Sequence, residues 1–174
     1  VDVIEGSCRL KQALIRDKRY ENLYLLPSAQ TKDKSAISPG QMKKLTSELK
    51  EDFDYILLDT AAGMGAPFTA ANRLADRALV VLTPDPVALR DGRIVADALL
   101  QNGRPASAVR LVMNRVSRSS FGKDAAVFDL DECIDTVGAQ LLAVIPESRV
   151  LQLAGANGTV PPAGDPAVAA GQAM

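Results

Sequence analysis

Five short apolar runs, at residues 23–27, 55–59, 78–83, 109–114 and 141–146, constrain this chain more tightly than any other feature. About 20 to 30 residues separate each run from the next, and the gaps carry helical periodicity. Strands spaced this way predict right-handed βαβ units, and hence an α/β fold: a mostly parallel sheet flanked by helices on both faces.

The helices are marked by chemistry as well as period. Ser38-Pro39 is a helix start with Pro at the first helical position, after which Met42, Leu45 and Leu49 form an apolar stripe and Lys43, Lys44, Glu48 and Lys50 face solvent. Residues 8–18, 67–75, 87–102, 130–140 and 149–156 also fit helices, and the tail after Gly158 reads as an extended stretch followed by a helix cut short. The polar segment 30–38 is the most loop-like. With no internal repeat and no linker, residues 1–174 are expected to form a single domain. The chain opens at Val1 without an initiator methionine and stops at Met174 without a closing cap, so truncation at both ends is expected.

Composition removes several function classes. There is no histidine, which rules out Ser/His and Cys/His triads and His-ligated metal sites. Cys8 and Cys133 lie far apart, outside zinc or CxxC spacing, and read as reduced thiols. The 20 basic residues are matched by 21 acidic ones and form no long run, so no nucleic acid partner is expected. No apolar stretch reaches the roughly 18 residues of a membrane span, and the first residues do not read as a signal peptide.

The remaining chemistry gathers at the ends of the expected strands, where open parallel sheets bind ligands. The run at 55–59 ends in Asp59, followed by the small residues Thr60, Ala61, Ala62 and Gly63. A carboxylate delivered by a buried strand into such a loop suits a Mg²⁺ ligand beside a nucleotide phosphate, and Gly63 lets backbone approach it. The same Asp read on its own could simply cap a helix. Asn114, at the end of the fourth run, both donates and accepts hydrogen bonds, as the edge of a purine requires, although an Asn there can also just close a turn.

Residues 1–34, with Glu5-Gly6, Arg9 to Arg19 and Glu21 to Lys34, closely resemble the MinD/ParA family of deviant Walker P-loop ATPases. Thr83-Pro84-Asp85, Val87 to Asp91, Asn114-Arg115 and Ile145-Pro146-Glu147 follow in the family's order. The resemblance implies a P-loop NTPase-like fold and an ATP- and Mg²⁺-dependent ATPase that forms a homodimer around ATP. It further implies MinC-like and MinE-like division regulators as partners, and a cytoplasmic protein that joins the inner membrane peripherally through a C-terminal helix. Asp59 would hold Mg²⁺ and position water, and Gly63 would be the pivot of the loop after it. Asn114 and Arg115 would read adenine, Pro146 and Glu147 would wall the base, and Arg90 and Asp91 would lie near the dimer and partner face.

Three departures from the family pattern stand out. No glycine-rich phosphate loop with its lysine occurs in the 174 residues, and the family's central first strand, which precedes that loop, is missing with it. On this ground the chain alone is not expected to hydrolyse ATP. Ala61 stands where the family usually has a stiffening proline, and Asp59 to Gly63 also approaches the pattern of FlhG-type flagellar ATPases. The membrane helix is not among these residues. The alternatives left open are a FlhG- or ParA-like positioning ATPase and a non-catalytic interaction scaffold.

Overall fold

The computed structural model describes residues 3, 6–27, 38–60, 63–127, 129–159 and 161. It divides into two compact units, Val1–Ala75 and Asp76–Met174.

In the first unit a short helix, α1 (Leu10–Ala13), leads into an antiparallel hairpin of β1 (Ile15–Arg16) and β2 (Tyr24–Leu25). Asp17 builds the turn. Its Oδ1 accepts from the backbone N–H groups of Arg19 at 2.8 Å and Tyr20 at 3.1 Å, and its own N–H donates to Leu23 O at 2.9 Å. These bonds from Arg19 and Tyr20 hold its carboxyl below the usual range. The helix expected over 8–18 therefore stops at Ala13, because Asp17 offers the following N–H groups a non-helical partner. The run at 23–27 is an arm of this hairpin and not a parallel strand.

Helix α2 (Pro39–Asp52) begins where Ser38-Pro39 predicts. Ser38 Oγ accepts from Gln41 N at 3.3 Å while Ser38 N donates to Gln41 Oε1 at 2.9 Å, a reciprocal cap. Leu49 is buried and Met42 and Leu45 are half-buried, as the stripe requires. Thr46 is buried too, its hydroxyl donating to Met42 O and Lys43 O at 3.0 Å each. Phe53, which ends the helix, meets Tyr24 edge-on with ring centroids 5.2 Å apart. Helix α3 (Ala66–Leu74) packs on α2.

Between α2 and α3, residues 53–60 are not a strand. No described strand pairs with them, and Tyr55 and Leu57 are each 88% exposed. An apolar run becomes a strand only when a neighbour completes its hydrogen-bond ladder, and composition alone does not supply one.

The second unit holds the parallel sheet, in the order β3 (Ala78–Leu82), β4 (Val109–Val116), β5 (Gln140–Pro146). These are the last three predicted runs, nearly to the residue. Helix α4 (Pro86–Gln101) follows β3 and buries Leu89, Gly92, Ala96 and Leu99 along one face. Gly92 lets the helix lie close to β3, since a Cβ there would meet Leu82 Cδ1 and force that side chain to move. Helix α5 (Leu130–Val137) buries Cys133 and Val137 and ends on Gly138, left-handed at φ 71°. Burial in an apolar site pushes the Cys133 thiol pKa up, with Glu132 and Asp129 adding to the effect. Helix α6 (Arg149–Ala156) follows β5 over the predicted span. Most of the tail expected after Gly158, and the loop-like segment 30–37, lie outside the described residues.

The middle strand carries the core: Leu111 and Met113 are fully buried and Val112 nearly so. We predict that Leu111→Ala lowers unfolding free energy by about 2–5 kcal/mol in urea titration, the range for emptying a close-packed aliphatic site. A loss below about 1 kcal/mol would contradict the central place of β4.

Candidate functional site

The carboxyl ends of β4 and β5 converge through a bulge. Met113 pairs with Val144 and Val116 with Pro146, so three steps along β4 match two along β5, and the extra residue falls at Asn114-Arg115. Arg115 absorbs it in the left-handed region at φ 57°, the only non-glycine with positive φ among the described residues. Its N–H donates to Asn114 Oδ1 at 3.0 Å. Because only the oxygen can accept that bond, the amide's orientation follows from it, and the Nδ2 hydrogens have no partner among the described residues.

The β5 loop closes against the same point. Glu147 N donates to Val116 O at 2.8 Å, continuing the pairing one residue past Pro146. Glu147 Oε1 accepts from Arg115 Nη2 at 3.5 Å and from Gln152 Nε2, on α6, at 3.4 Å. Ser148 Oγ caps α6 through Leu151 N at 3.3 Å. Asn114, Arg115, Pro146 and Glu147 are thus one cluster. Arg115 and Glu147 are largely solvent-exposed, so their ion pair orients side chains more than it stabilises the fold.

The β3 end is built differently. Asp85 caps α4 by accepting from Ala88 N at 2.9 Å, and Thr83 Oγ1 donates to its other carboxylate oxygen at 2.5 Å. The Thr83 bond first, then the Ala88 N–H, lowers its pKa. This cap is absent from the sequence expectations, although Asp85-Pro86 signals it in the way Ser38-Pro39 does. Arg90 and Asp91 are exposed on α4.

In the first unit, Asp59 is exposed at the end of the extended segment and has no hydrogen-bond or ion-pair partner among the described residues. Gly63 follows at φ 102°, with open space where a side chain would sit. The proline-to-alanine departure at Ala61 lies outside the described residues. No group of three or more potential metal ligands occurs among the described residues. Mg²⁺ needs no such group, since one or two carboxylates, phosphates and waters complete its shell. A single exposed carboxylate is compatible with such a shell, and an amide with free donors at a strand end carries the donor and acceptor pair that a purine edge requires.

The sheet, its helices and these strand ends define a P-loop NTPase-like protein of the MinD/ParA type. The MinD protein of Aquifex aeolicus superimposes with a TM-score of 0.82 at 29% identity, over 97% of this chain and 69% of that one. MinD in the MinC:MinD complex of the same organism gives 0.78 at 29% identity, over 91% and 62%. The Pyrococcus horikoshii septum site-determining protein MinD, solved with Mg-ADP, gives 0.75 at 26% identity, over 97% and 68%. In sequence, the septum site-determining protein MinD of Bacillus subtilis (strain 168) is 41% identical over 149 residues, 84% of this chain and 54% of that protein. No family model matches the chain. The chain is thus similar in sequence and fold to MinD septum site-determining proteins, and it spans about half the length of the curated relatives it matches.

The Asp85 cap gives a pH test. Its folded-state pKa lies below the unfolded value, so its contribution is present above the carboxylate range and is lost as pH falls through the folded value. Asp85→Ala is expected to cost about 1 kcal/mol near neutral pH, and the gap to the parent to shrink below about pH 4, in unfolding curves taken across pH. A gap independent of pH would contradict the charged cap.

Proposed function

We propose that this chain supplies the base-reading and switch parts of an ATP-dependent dimerisation device that helps place the division septum. The observation that carries the reading is the bulge at Asn114-Arg115, which fixes the Asn114 amide and ties it to the loop of Pro146 and Glu147. In this reading Asn114 donates to adenine through Nδ2 and accepts through the second lone pair of Oδ1, while Pro146 and the Arg115–Glu147 pair wall the base. Asp59 holds Mg²⁺, which when bound neutralises phosphate charge, and Gly63 lets the following loop move with nucleotide state. The two units would belong to one ATPase domain.

Kinship supports the rest. A MinD neighbour was solved with Mg-ADP and another in complex with MinC. By extension the partners would be a second copy of this protein and MinC-like and MinE-like regulators, with Arg90 and Asp91 near the partner face. Peripheral membrane attachment rests on kinship alone, and no described helix is long and apolar enough to cross a membrane. Residues 1–174 contain no phosphate-binding lysine loop, so the activity belongs to the full-length protein that carries this chain.

Two substitutions in that full-length protein test the reading. Asn114→Ala is expected to reduce the preference for ATP over GTP about tenfold in competition binding, the worth of about one hydrogen bond. Unchanged selectivity would remove the base-reading role. Asp59→Ala is expected to abolish Mg-ATP-dependent dimerisation in light scattering, and a dimer of parental affinity would remove the switch role.

A further inference from the structure

Helices α2 and α3 enclose a groove of about 360 Å³ that no part of the nucleotide reading uses. Lys43 and Lys50 on α2 and Arg73 on α3 line it, with Ala70 and Leu74 among its apolar walls and no acidic residue in its lining. On α2 the two lysines stand seven residues apart, about 10 Å along one face of the helix. The helix's acidic residues Glu48, Glu51 and Asp52 lie outside the groove. Neither Lys43 nor Arg73 forms an ion pair among the described residues, although the whole chain carries a net charge of −1. Ser47 and Thr46 do not compete for an incoming anion as donors, because their hydroxyls already donate to backbone carbonyls of α2.

From this juxtaposition of Lys43 and Arg73, one on each helix, with the apolar walls between them, we infer that the α2–α3 groove is a docking surface for an acidic polypeptide segment bearing apolar side chains. The apolar walls and the lysine methylenes give such a segment something to bury, which a bare phosphate or a hydrated headgroup lacks. Complementary charge would set approach rate and register, and the alanine and leucine contacts would hold the bound segment.

The test uses the full-length protein and a fluorescein-labelled peptide of repeating Glu-Leu-Glu, read by anisotropy at low salt. The peptide is expected to bind, the matching Gln-Leu-Gln peptide to bind at least about tenfold more weakly, and added salt to weaken the acidic peptide. The Lys43→Gln/Arg73→Gln double variant is expected to lose about tenfold in affinity with an unchanged circular dichroism spectrum, whereas Lys44→Gln, outside the groove, leaves affinity unchanged. Parental affinity in the double variant, or equal binding of the two peptides, would overturn the proposal. So would phosphatidylglycerol vesicles binding through Lys43 and Arg73 where the peptide does not.

Discussion

The placing of the strand ends in the second unit depends on β4 being paired on both sides. Its hydrogen bonds to β3 and β5 satisfy its backbone, and its buried residues, Leu111 to Met113, fill the space beneath the flanking helices. A strand so enclosed cannot shift register without emptying the core, because a slip of one residue turns every side chain to the opposite face. Its last residues are therefore delivered to one place. The β4–β5 register shifts twice, once at Leu142 opposite Leu111-Val112 and once at Asn114-Arg115, and at the second one left-handed residue lets Asn114 leave the ladder while Val116 O accepts from Glu147 N.

That arrangement divides the work between rigid and adjustable parts. The residues of β4 up to Met113 are buried between two strands, whereas Asn114, Arg115 and Glu147 are held by a few side-chain bonds at the solvent boundary. Gln152 ties Glu147 to α6, so the helix that follows β5 steadies the same loop. A ligand that replaced the weak Arg115–Glu147 contact would disturb little of the core.

Much of this was legible because the chemistry is local. The continuous Val, Leu and Ile runs at 78–83, 109–114 and 141–146 read as buried parallel strands, and Ser38-Pro39 as a helix start, since each signal lies within a few residues. The failures are those where the answer depends on a partner elsewhere. The run at 55–59 is as apolar as the others but has no described neighbour to pair with, and the run at 23–27 was taken up by a hairpin that Asp17 sets. Asn114 is legible from its place at a strand end, and Glu147 only through the family resemblance. The bulge that brings them together is not legible, because Asn-Arg carries no glycine to announce a positive φ.

The account stands or falls on whether the β4 and β5 ends touch the base. Photoaffinity labelling of the full-length protein with an azido-adenine analogue of ATP, followed by peptide mapping, asks this directly. Covalent label on the peptides that contain Asn114-Arg115 and Pro146-Glu147, suppressed by excess ATP and not by GTP, is the predicted result. ATP-suppressible label confined to peptides that contain neither loop would contradict it.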